Sequence, residues 1–424
     1  PNVILIYSDD QGSLDLNIYG AKDLATPNLD RLARNGVRFS QFYPASPVCS
    51  PSRASLLTGR YPQRAGLVDN ASGNYGSGAG MPGKQFTMAE LFKGGGYKTA
   101  HIVKWHIGYT PETMPNAQGF DHSFGFMGGC IDNFSHFFYW AGPNRHDLWE
   151  NGREIYRPGK FFADMMVEEA GTFMKANKSD PFFMYWAINI PHYPIQPDVK
   201  WQEYYKNLPE PRRGYAAFVS MMDERVGQLL KKVDELGLTD NTIIVFQADQ
   251  GHSEEERGFG GGGFAGENRG AKFSLFEGGI QVPAIISWPG HIAKNVVRHQ
   301  FATNIDWLPT LAEYCNIPLP DRKIDGRSIT KIIASDDAPT QHPVFHWQSL
   351  QTRDLPQWAV RDGDWKLLHS PRQADSAELN ADNLMLIDLK NDRGEKINKA
   401  ADNPAIVTRL QQLHADWLKQ VFED

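Results

Sequence analysis

The sequence predicts an α/β sandwich, in which helices cover both faces of a mainly parallel β-sheet. Three observations lead to this fold class: apolar runs of strand length, helical segments between them, and polar residues directly after each run. The runs are apolar throughout, which is typical of parallel strands that are buried on both faces. The predicted strands are Val3–Tyr7, Thr99–Val103, Phe182–Ile188 and Ile243–Ala248.

Two helices illustrate the segments that alternate with these strands. Thr26 is predicted as an N-cap, Pro27 as the first helical residue and Gly36 as the C-terminal stop. A second helix ends near Gly237 and carries an apolar stripe that we interpret as core. The stripe consists of Phe218, Met221, Met222, Val226, Leu229, Leu230 and Val233.

The polar residues that follow the four predicted strands are the first functional signal. In open α/β sheets, ligands bind outside the carboxyl ends of the strands, so these side chains are expected to meet at one rim. The glycine-rich segment Gly258–Gly266 is predicted as a flexible loop near the same rim, because it lacks the context of a nucleotide-binding motif. The rim residues are Asp9, Asp10, Lys104, His106, His192, Asp249 and Gln250.

The pattern changes after about residue 320, which predicts a catalytic domain over residues 1–320 and a smaller α+β subdomain over 321–424. Trp358–Arg361 and Trp365–His369 are predicted to form a hairpin across Asp362-Gly363. Leu384–Leu389 is a further strand. Asn403 and Pro404 then open a helix with one apolar side, formed by Ile406, Leu410, Leu413, Trp417 and Val421.

Composition excludes several classes of protein. The 424 residues include 43 Lys and Arg against 50 Asp and Glu, a net charge of −7 that argues against broad nucleic-acid binding. The sequence contains no run of about 18 apolar residues, so no membrane span is predicted. Three cysteines without a CxxC pair support neither a disulfide framework nor a zinc site. The chain begins at Pro1 without an initiator Met, so we expect that a leader was removed.

One segment decides the functional class. Cys49–Gly59 reads C-S-P-S-R-A-S-L-L-T-G and resembles the signature of the type I sulfatases, C-x-P-S-R followed by four residues and T-G. The resemblance implies that a formylglycine-generating enzyme oxidises Cys49 to Cα-formylglycine. A helix that begins near Pro51 would also direct its free N–H groups toward position 49 and stabilise an oxyanion there. Arg53, one turn further on, would hold that oxyanion or nearby carboxylates.

Further segments resemble sulfatase motifs in the same order, so the resemblance spans nearly the whole chain and implies an alkaline-phosphatase-like fold. Two positions depart from the family pattern: Gln250 stands where Asn or His is usual, and Gln281 stands where Arg is frequent. We expect Gln281 to support structure. The matching segments are Asp9-Asp10, Lys104–Gly108, Pro191-His192, Asp249–Gly251, Gly270–Lys272, Phe276–Gly279 and Leu384–Lys399.

The resemblance also implies a metal site and a set of catalytic roles. Asp9, Asp10, Asp249, Gln250 and the modified residue 49 offer oxygen ligands only, which favours a hard cation, and the family implies Ca²⁺. One hydroxyl of a formylglycine hydrate would attack sulfur, and the second would lose a proton to expel sulfate.

The remaining implied roles belong to two lysines and two histidines. Lys104 and Lys272 would bind the sulfate oxygens, and His106 would orient or deprotonate the hydrate. His192 would lie near the leaving oxygen, with Lys272 as a second proton donor.

The substrate is expected to be a sulfated polysaccharide or its oligosaccharides, met in the periplasm or outside the cell. Aromatic residues between the second and third strands could stack on sugars, with Arg145 and His146 beside them; equally, they could pack on one another. Two alternatives stay open: a formylglycine-dependent phosphodiesterase or phosphonate hydrolase, and a non-catalytic calcium- and glycan-binding relative. The aromatic residues are Phe137, Phe138, Tyr139, Trp140 and Trp149.

Overall fold

A computed structural model describes residues 1–71, 80–138, 144–349 and 356–422 of the protein. The strands, in chain order, are β1 (Asn2–Ser8), β2 (Val37–Phe39), β3 (Phe42–Tyr43), β4 (Lys98–Lys104), β5 (His122–Phe126), β6 (Phe137–Phe138), β7 (Arg145–His146), β8 (Trp149–Glu150), β9 (Arg153–Glu154), β10 (Phe182–Ala187), β11 (Thr242–Ala248), β12 (Ala284–Ser287), β13 (Val296–Arg298), β14 (Ala302–Thr303), β15 (Val344–Ser349), β16 (Gln357–Asp362), β17 (Trp365–His369) and β18 (Leu384–Asp388). The helices are α1 (Pro27–Arg34), α2 (Cys49–Thr58), α3 (Pro62–Ala65), α4 (Met88–Gly94), α5 (Phe162–Ala176), α6 (Val199–Tyr204), α7 (Arg212–Glu235), α8 (Glu277–Ile280), α9 (Trp307–Tyr314), α10 (Thr330–Ala334) and α11 (Pro404–Phe422).

A ten-stranded sheet organises the larger part of the chain, in the order β13-β2-β12-β11-β1-β10-β4-β5-β8-β9. The four strands predicted from sequence are neighbours at its centre and run parallel to one another. Strand β5 extends this parallel group, whereas β12 and β8 join it antiparallel. The predicted mainly parallel sheet is therefore confirmed, and the strand ends that carry the polar residues lie side by side.

Helices cover both faces of the sheet, because alternate residues of each buried strand point to opposite sides. Val3 and Leu5 of β1 pack into the cluster that contains residues of α2, α4 and α9. Ile4 and Ile6 pack into the cluster on the other face, formed with α1, α5 and α7. Both clusters are almost wholly removed from solvent, which explains why the strands are apolar along their whole length.

The two helices predicted in detail form, with small differences at their ends. Helix α1 begins at Pro27, but the Thr26 hydroxyl bonds to Asn17 and Asp30 instead of capping the helix backbone. Asn35, and not Gly36, is the C-cap residue. The predicted stripe of α7 is buried except for Leu230, which is half-buried.

A separate four-stranded antiparallel sheet, β15-β16-β17-β18, lies in the C-terminal part with α11 packed on it. The predicted hairpin of β16 and β17 is confirmed, but its two-residue loop is Gly363-Asp364 and not Asp362-Gly363, because Asp362 still pairs with Trp365. Gly363 supplies the positive φ of 59° at the first loop position. The buried side of α11 is rotated from the predicted one, because Ile406 and Leu413 are only half-buried. The buried positions are Val407, Leu410, His414, Trp417 and Val421. The domain boundary after residue 320 stays a prediction.

The glycine-rich segment packs closely over the residues that follow β11. A Cβ atom added at Gly261 would lie 2.0 Å from the carbonyl oxygen of Ser253, so only glycine fits there. Within the described ranges, every helix is too short or too polar to traverse a lipid bilayer.

Candidate active site

The ends of four parallel strands bring the predicted rim residues together. Asp9 and Asp10 follow β1, Lys104 ends β4, His192 follows β10 and Asp249 follows β11. Each of these side chains is at least nine-tenths buried. The rim predicted from the polar residues therefore exists as a compact, buried cluster of charges.

Helix α2 places Cys49 at this rim, since Cys49 is its first residue. The Ser52 hydroxyl donates to the backbone oxygen of Asp249 over 2.6 Å and contacts the Tyr7 hydroxyl at 2.8 Å. The Asn304 amide donates to the Ser52 carbonyl over 2.9 Å. These contacts fix the helix N-terminus against the ends of β1 and β11.

The Cys49 thiol lies between acidic and amide groups. Its Sγ is 3.7 Å from Oδ1 of Asp9 and 3.5 Å from Nε2 of Gln250. Burial raises the pKa of Cys49 to about 12, although Lys104 and Lys272 act in the opposite direction. As cysteine, the side chain is thus a neutral thiol.

Two cations hold Asp9 in its ionised form. Nζ of Lys104 is 2.6 Å from Oδ2 of Asp9, and Nη2 of Arg53 is 3.4 Å from Oδ1. Burial alone would raise the pKa of Asp9, but Lys104 and Arg53 lower it well below its ordinary value. Nη2 of Arg53 also donates to Oδ2 of Asp249 over 2.8 Å. Arg53 therefore holds the carboxylates, one of the two roles expected for it.

Asp10 lies at the other side of the cluster. Nζ of Lys272 is 2.8 Å from its Oδ2 and 3.5 Å from Oε2 of Glu255. Burial raises the pKa of Asp10 to about 6, with Asp9 adding to the effect and Lys272 opposing it. Lys272 remains a cation, because Asp10 and its other partners outweigh the effect of burial and raise its pKa.

His192 is oriented by a backbone carbonyl. Its Nδ1 is 2.7 Å from the Tyr193 oxygen, which can only accept, so Nδ1 carries the proton and Nε2 has the free lone pair. Nε2 is 3.6 Å from Oδ2 of Asp10. Burial lowers the pKa of His192 well below its ordinary value, so the ring is neutral in this arrangement.

His106 lies in a strained part of the backbone. Its φ is 58°, and Asp10 has a φ of 61°; both are left-handed conformations that non-glycine residues rarely adopt. The His106 ring packs against Gly129, and its buried Nδ1 makes no hydrogen bond to any described residue. Burial lowers the pKa of His106 strongly, so this imidazole is also neutral.

The cluster fits a hard divalent cation. Ligand atoms of Asp9, Asp10, Cys49 and His192 all lie within 4.8 Å of one another. Burial raises the pKa of Asp249 to about 7, so added positive charge would stabilise its ionised form. This group of four possible ligands includes His192, which was not predicted as a ligand. The predicted ligand Asp249 is not part of the group, and its carboxylate is bonded to Arg53 and to two backbone amides.

Gln250 supplies a second sign of fit. Its buried Oε1 has no hydrogen-bond partner in the part of the chain that the structure describes, while Nε2 faces Oδ1 of Asp10 and the Cys49 sulfur. The two ends of an amide are distinguished by their hydrogen bonds, and exchanging them would turn Oε1 toward the carboxylates. A cation between the oxygens would favour that orientation, and Ca²⁺ prefers ligation by such oxygens.

Comparison with known proteins agrees with this geometry. The sequence profile described as Sulfatase matches residues 1–317, and a profile described as N-sulphoglucosamine sulphohydrolase, C-terminal, matches residues 270–422. The chain belongs to the sulfatase family. It is accordingly a sulfuric ester hydrolase with an alkaline-phosphatase-like fold.

Individual relatives of this sulfatase align along most of their length. Human arylsulfatase A is 33% identical over 97% of this chain and 87% of its own. N-acetylgalactosamine-6-sulfatase from Sus scrofa is 33% identical over 86% of this chain and 72% of its own. The crystal structure of Ps i-CgsB in complex with k-i-k-neocarrahexaose superposes with a TM-score of 0.88 at 30% identity, covering 98% of this chain and 92% of that one.

The aromatic residues that were expected to stack on sugars lie in different surroundings. Tyr139 and Trp140 lie outside the described residues. Phe138 is buried beneath the Arg145 guanidinium, whose carbon is 4.3 Å from the ring centroid, and Nη2 of Arg145 donates to the Tyr109 hydroxyl. This favours the interpretation of these side chains as an internally packed segment.

A similar contact accounts for Trp149, whose Nε1 donates to Oδ1 of Asp147 over 2.8 Å. Of the described aromatic residues that were expected to stack on sugars, Phe137 is the most exposed, at 41%. The departure at Gln281 has a structural role, as expected, since its amide links Asn268 to the Ser40 carbonyl.

Several site residues of the sulfatase escaped sequence reasoning. Asn304 and Tyr7 position α2, and Glu255 contacts Lys272, yet single polar residues outside a motif carry no signal. Gly251 was noted as part of a motif without its reason: a Cβ there would lie 1.9 Å from the Gly278 carbonyl oxygen. The glycines of two distant motifs thus allow the Asp249 and Lys272 segments to approach each other.

Proposed function

We propose that this sulfatase releases sulfate from sulfated polysaccharides or their oligosaccharides, using Cα-formylglycine at position 49 and one Ca²⁺ ion. The observation that carries the proposal is the position of Cys49, the first residue of a buried helix. It faces Asp9 and Gln250, and Lys104 and Lys272 lie close enough to influence its pKa. A formylglycine hydrate at this position supplies a hydroxyl nucleophile and a second hydroxyl whose deprotonation expels sulfate.

The residues around position 49 suit the charge of a sulfate ester. Lys104 and Lys272 are buried cations held by different carboxylates, Asp9 and Asp10. Sulfate oxygens placed between the two ammonium groups would be bound by charge-assisted hydrogen bonds in a site from which water is largely excluded.

Two neutral imidazoles complete the proposed chemistry. His106 would orient or deprotonate the hydrate at residue 49. His192 can donate only after its Nε2 has taken up a proton from water; it would then pass that proton to the leaving oxygen, with the Lys272 ammonium as a second donor. Asp9, Asp10, Asp249, Gln250 and an oxygen of residue 49 would hold the cation, which when bound would neutralise charge on the sulfate.

The names of relatives support a glycan as substrate. One relative is named for N-acetylgalactosamine 6-sulfate, and a similar structure contains a neocarrahexaose. Polymeric sulfate esters of this kind occur outside the cytoplasm, so we place the enzyme in the periplasm or outside the cell. Its partners are then the glycan and a formylglycine-generating enzyme.

The test is to produce the protein with and without a formylglycine-generating enzyme. The converted tryptic peptide Phe39–Arg53 should be lighter, since oxygen replaces sulfur and two hydrogens leave. Turnover of nitrophenyl sulfate should rise with the converted fraction and exceed turnover of a matched phosphate diester. Cys49→Ala should fold, bind Ca²⁺ more weakly and be inactive. Equal turnover by fully unconverted protein would refute the proposal.

A further inference from the structure

An arginine of the C-terminal part lies beside the active site and has no acidic partner among the described residues. Arg372 follows β17, and its guanidinium carbon is 4.8 Å from the centroid of the Phe273 ring. The side chain is exposed, and the described residues place no carboxylate within ion-pair distance of it. None of the catalytic steps proposed above involves the Arg372 side chain.

Phe273 connects this arginine to the catalytic cluster. Nζ of Lys272 is 5.4 Å from the centroid of the same ring. The Lys272 ammonium and the Arg372 guanidinium therefore contact one aromatic ring and lie near each other. The Phe273 backbone has a φ of 75°, which is strained for a bulky residue. Its N–H donates to the Pro47 carbonyl over 2.9 Å, two residues before Cys49.

The backbone around Arg372 is held in place on both sides. Its N–H donates to Oε1 of Gln357 over 3.2 Å, and its carbonyl accepts from the Ser274 hydroxyl over 2.8 Å. The next residue, Gln373, accepts from the Ala271 N–H over 3.1 Å. The segments that carry Arg372 and Lys272 are therefore joined directly, and the guanidinium has a defined position relative to the catalytic lysine.

The described acidic residues near Arg372 have other partners. Oε2 of Glu254 accepts from Nε2 of Gln373 over 2.8 Å, and Glu255 faces Lys272. Arg372 thus presents its donors to solvent at the edge of the site. A guanidinium stacked on an aromatic face loses little further side-chain entropy when it binds, and its planar fork matches a sulfate or carboxylate.

We propose that Arg372 binds a second anionic group of the substrate, so that the enzyme prefers glycans with another sulfate or a carboxylate near the ester it cleaves. This inference rests on the proposed sulfatase function of the same site. Lys272 and Lys104 take the sulfate that is released, and Arg372 takes the neighbouring anion on the same sugar or the next one. Arg372 is a specificity-determining residue, and the chemistry at residue 49 proceeds without it.

The experiment compares Arg372→Gln and Arg372→Lys with the parent enzyme on substrates of different charge. The probes are a monosulfated and a disulfated carrageenan disaccharide, a monosulfated chondroitin disaccharide that contains a uronic acid, and nitrophenyl sulfate. For Arg372→Gln we expect KM to rise about tenfold on a probe with a second anion, and to change less than about twofold on the singly charged probes. Arg372→Lys should show a smaller rise in KM, because the charge remains without the fork.

Arg153→Gln is the matched control, an exposed arginine on the edge strand β9. It should leave every KM unchanged, and the melting temperatures of all variants should agree. A loss confined to the disulfated probe identifies sulfate as the second anion, and a loss confined to the uronic acid probe identifies a carboxylate. Equal changes in KM on all probes, or none, would overturn the proposal.

Binding measurements separate this inference from the proposed function. Calorimetric titration of the same disaccharides into Cys49→Ala, with and without Arg372→Gln, reports recognition in the absence of turnover. If the parent enzyme fails to hydrolyse nitrophenyl sulfate, the proposed function fails, while a tenfold difference in Kd for the doubly charged disaccharides would still support the role of Arg372. If Kd is unchanged by Arg372→Gln, the role of Arg372 is refuted even when the enzyme is active.

Discussion

His192 shows how one hydrogen bond determines which atom can do chemistry. Its Nδ1 donates to the Tyr193 carbonyl, so Nε2 is the ring atom available for a proton of the substrate. Nε2 also lies 3.6 Å from Asp10, which keeps it at the edge of the carboxylate cluster. A proton taken up by Nε2 would be stabilised by this carboxylate, and the ring would then act as a proton donor to the leaving oxygen.

The role of His192 can be tested through the leaving group. His192→Ala should lower kcat on a sugar sulfate by roughly 10²–10⁴-fold, the range expected for loss of general acid catalysis. Sulfates of acidic phenols need little protonation, so their hydrolysis should fall much less. Steady-state kinetics on both substrates with the same protein preparation provides the comparison. Losses of equal size would assign His192 to binding or structure.

Replacing Gln250 tests Ca²⁺ binding without changing the charge of the site, because glutamine is neutral. Gln250→Leu removes the amide oxygen, whereas Gln250→Asn restores the residue type usual in the family. We expect Gln250→Leu to raise the Ca²⁺ concentration for half-maximal effect at least tenfold, and Gln250→Asn to stay near the parent value.

The readout for Gln250 is the melting temperature, titrated with Ca²⁺ after treatment with a chelator, because a cation that binds the native state raises it. Activity measured over the same titration should follow the melting curve. An identical calcium dependence in Gln250→Leu would remove Gln250 from the ligand set.

At the scale of single elements, helix α2 depends on a partner that is distant in sequence. The Asn304 side chain contacts three groups of the α2 region: the Ser52 carbonyl, the Ser55 hydroxyl and the Ala45 N–H, at 2.9–3.0 Å. All of these groups are buried, so removing the amide would leave unsatisfied donors and acceptors near Cys49.

Asn304→Ala should therefore lower the free energy of unfolding by about 2–4 kcal/mol, since each unsatisfied buried group costs roughly 1–3 kcal/mol. Activity should fall as well, because the start of α2 is no longer held against β11. Thr172→Ala is the control; it removes an exposed hydroxyl that bonds to the Glu168 carbonyl of its own helix and should cost about 1 kcal/mol or less. Urea unfolding gives both values. A change below about 0.5 kcal/mol in Asn304→Ala would contradict this account.

At the scale of the whole molecule, a buried polar network joins the C-terminal sheet to β3 and α8 of the larger part. Nζ of Lys366 on β17 lies 2.8 Å from Glu277 and 2.9 Å from Glu395. Glu277 also accepts from the Tyr43 hydroxyl, and Arg361 donates to the same hydroxyl. Glu277 belongs to the motif that follows Lys272, so the C-terminal sheet supports the catalytic segment directly.

The packing of α11 on the C-terminal sheet predicts sensitivity to acid. His414 stacks on Trp358 with ring centroids 4.4 Å apart, and His346 stacks on Trp417 at 5.0 Å. Burial lowers the pKa of His414 to about 4, with His369 contributing, and burial lowers the pKa of His346 to about 3, with His414 contributing. Neither nitrogen of His414 has a hydrogen-bond partner among the described residues.

Because these folded-state pKa values lie below the unfolded value of about 6.5, the unfolded chain takes up protons first as the pH falls. The stabilisation is complete above about pH 6.5 and is lost progressively toward pH 3–4. Each histidine should cost up to about 1.4 kcal/mol per pH unit in that window. His414→Phe should flatten the dependence of unfolding free energy on pH between 7 and 5, measured by urea titration. An unchanged slope would show that His414 does not contribute.

The centre of the sheet, the hairpin beside Gly363 and the convergence of the polar strand-end residues could be deduced from the sequence. Apolar runs, helix signals and turn residues act over a few positions, and the segments resembling sulfatase motifs preserve their order along the chain. The spacing of Asp9, Lys104, His192 and Asp249 at strand ends then followed from the rule that parallel strands end at one edge. These features depend on short-range patterns, which is why they were predicted correctly.

The pairing of charges, the support of α2 by Asn304 and the position of Arg372 were decided only by the tertiary structure. Arg372 and Lys272 are separated by a hundred positions in the chain, and nothing in either local sequence indicates that Phe273 lies between them. The buried side of α11 likewise differed from the predicted one. Such contacts depend on how whole elements pack and in which register they pair, and these are set by the summed burial of many side chains and not by any single motif.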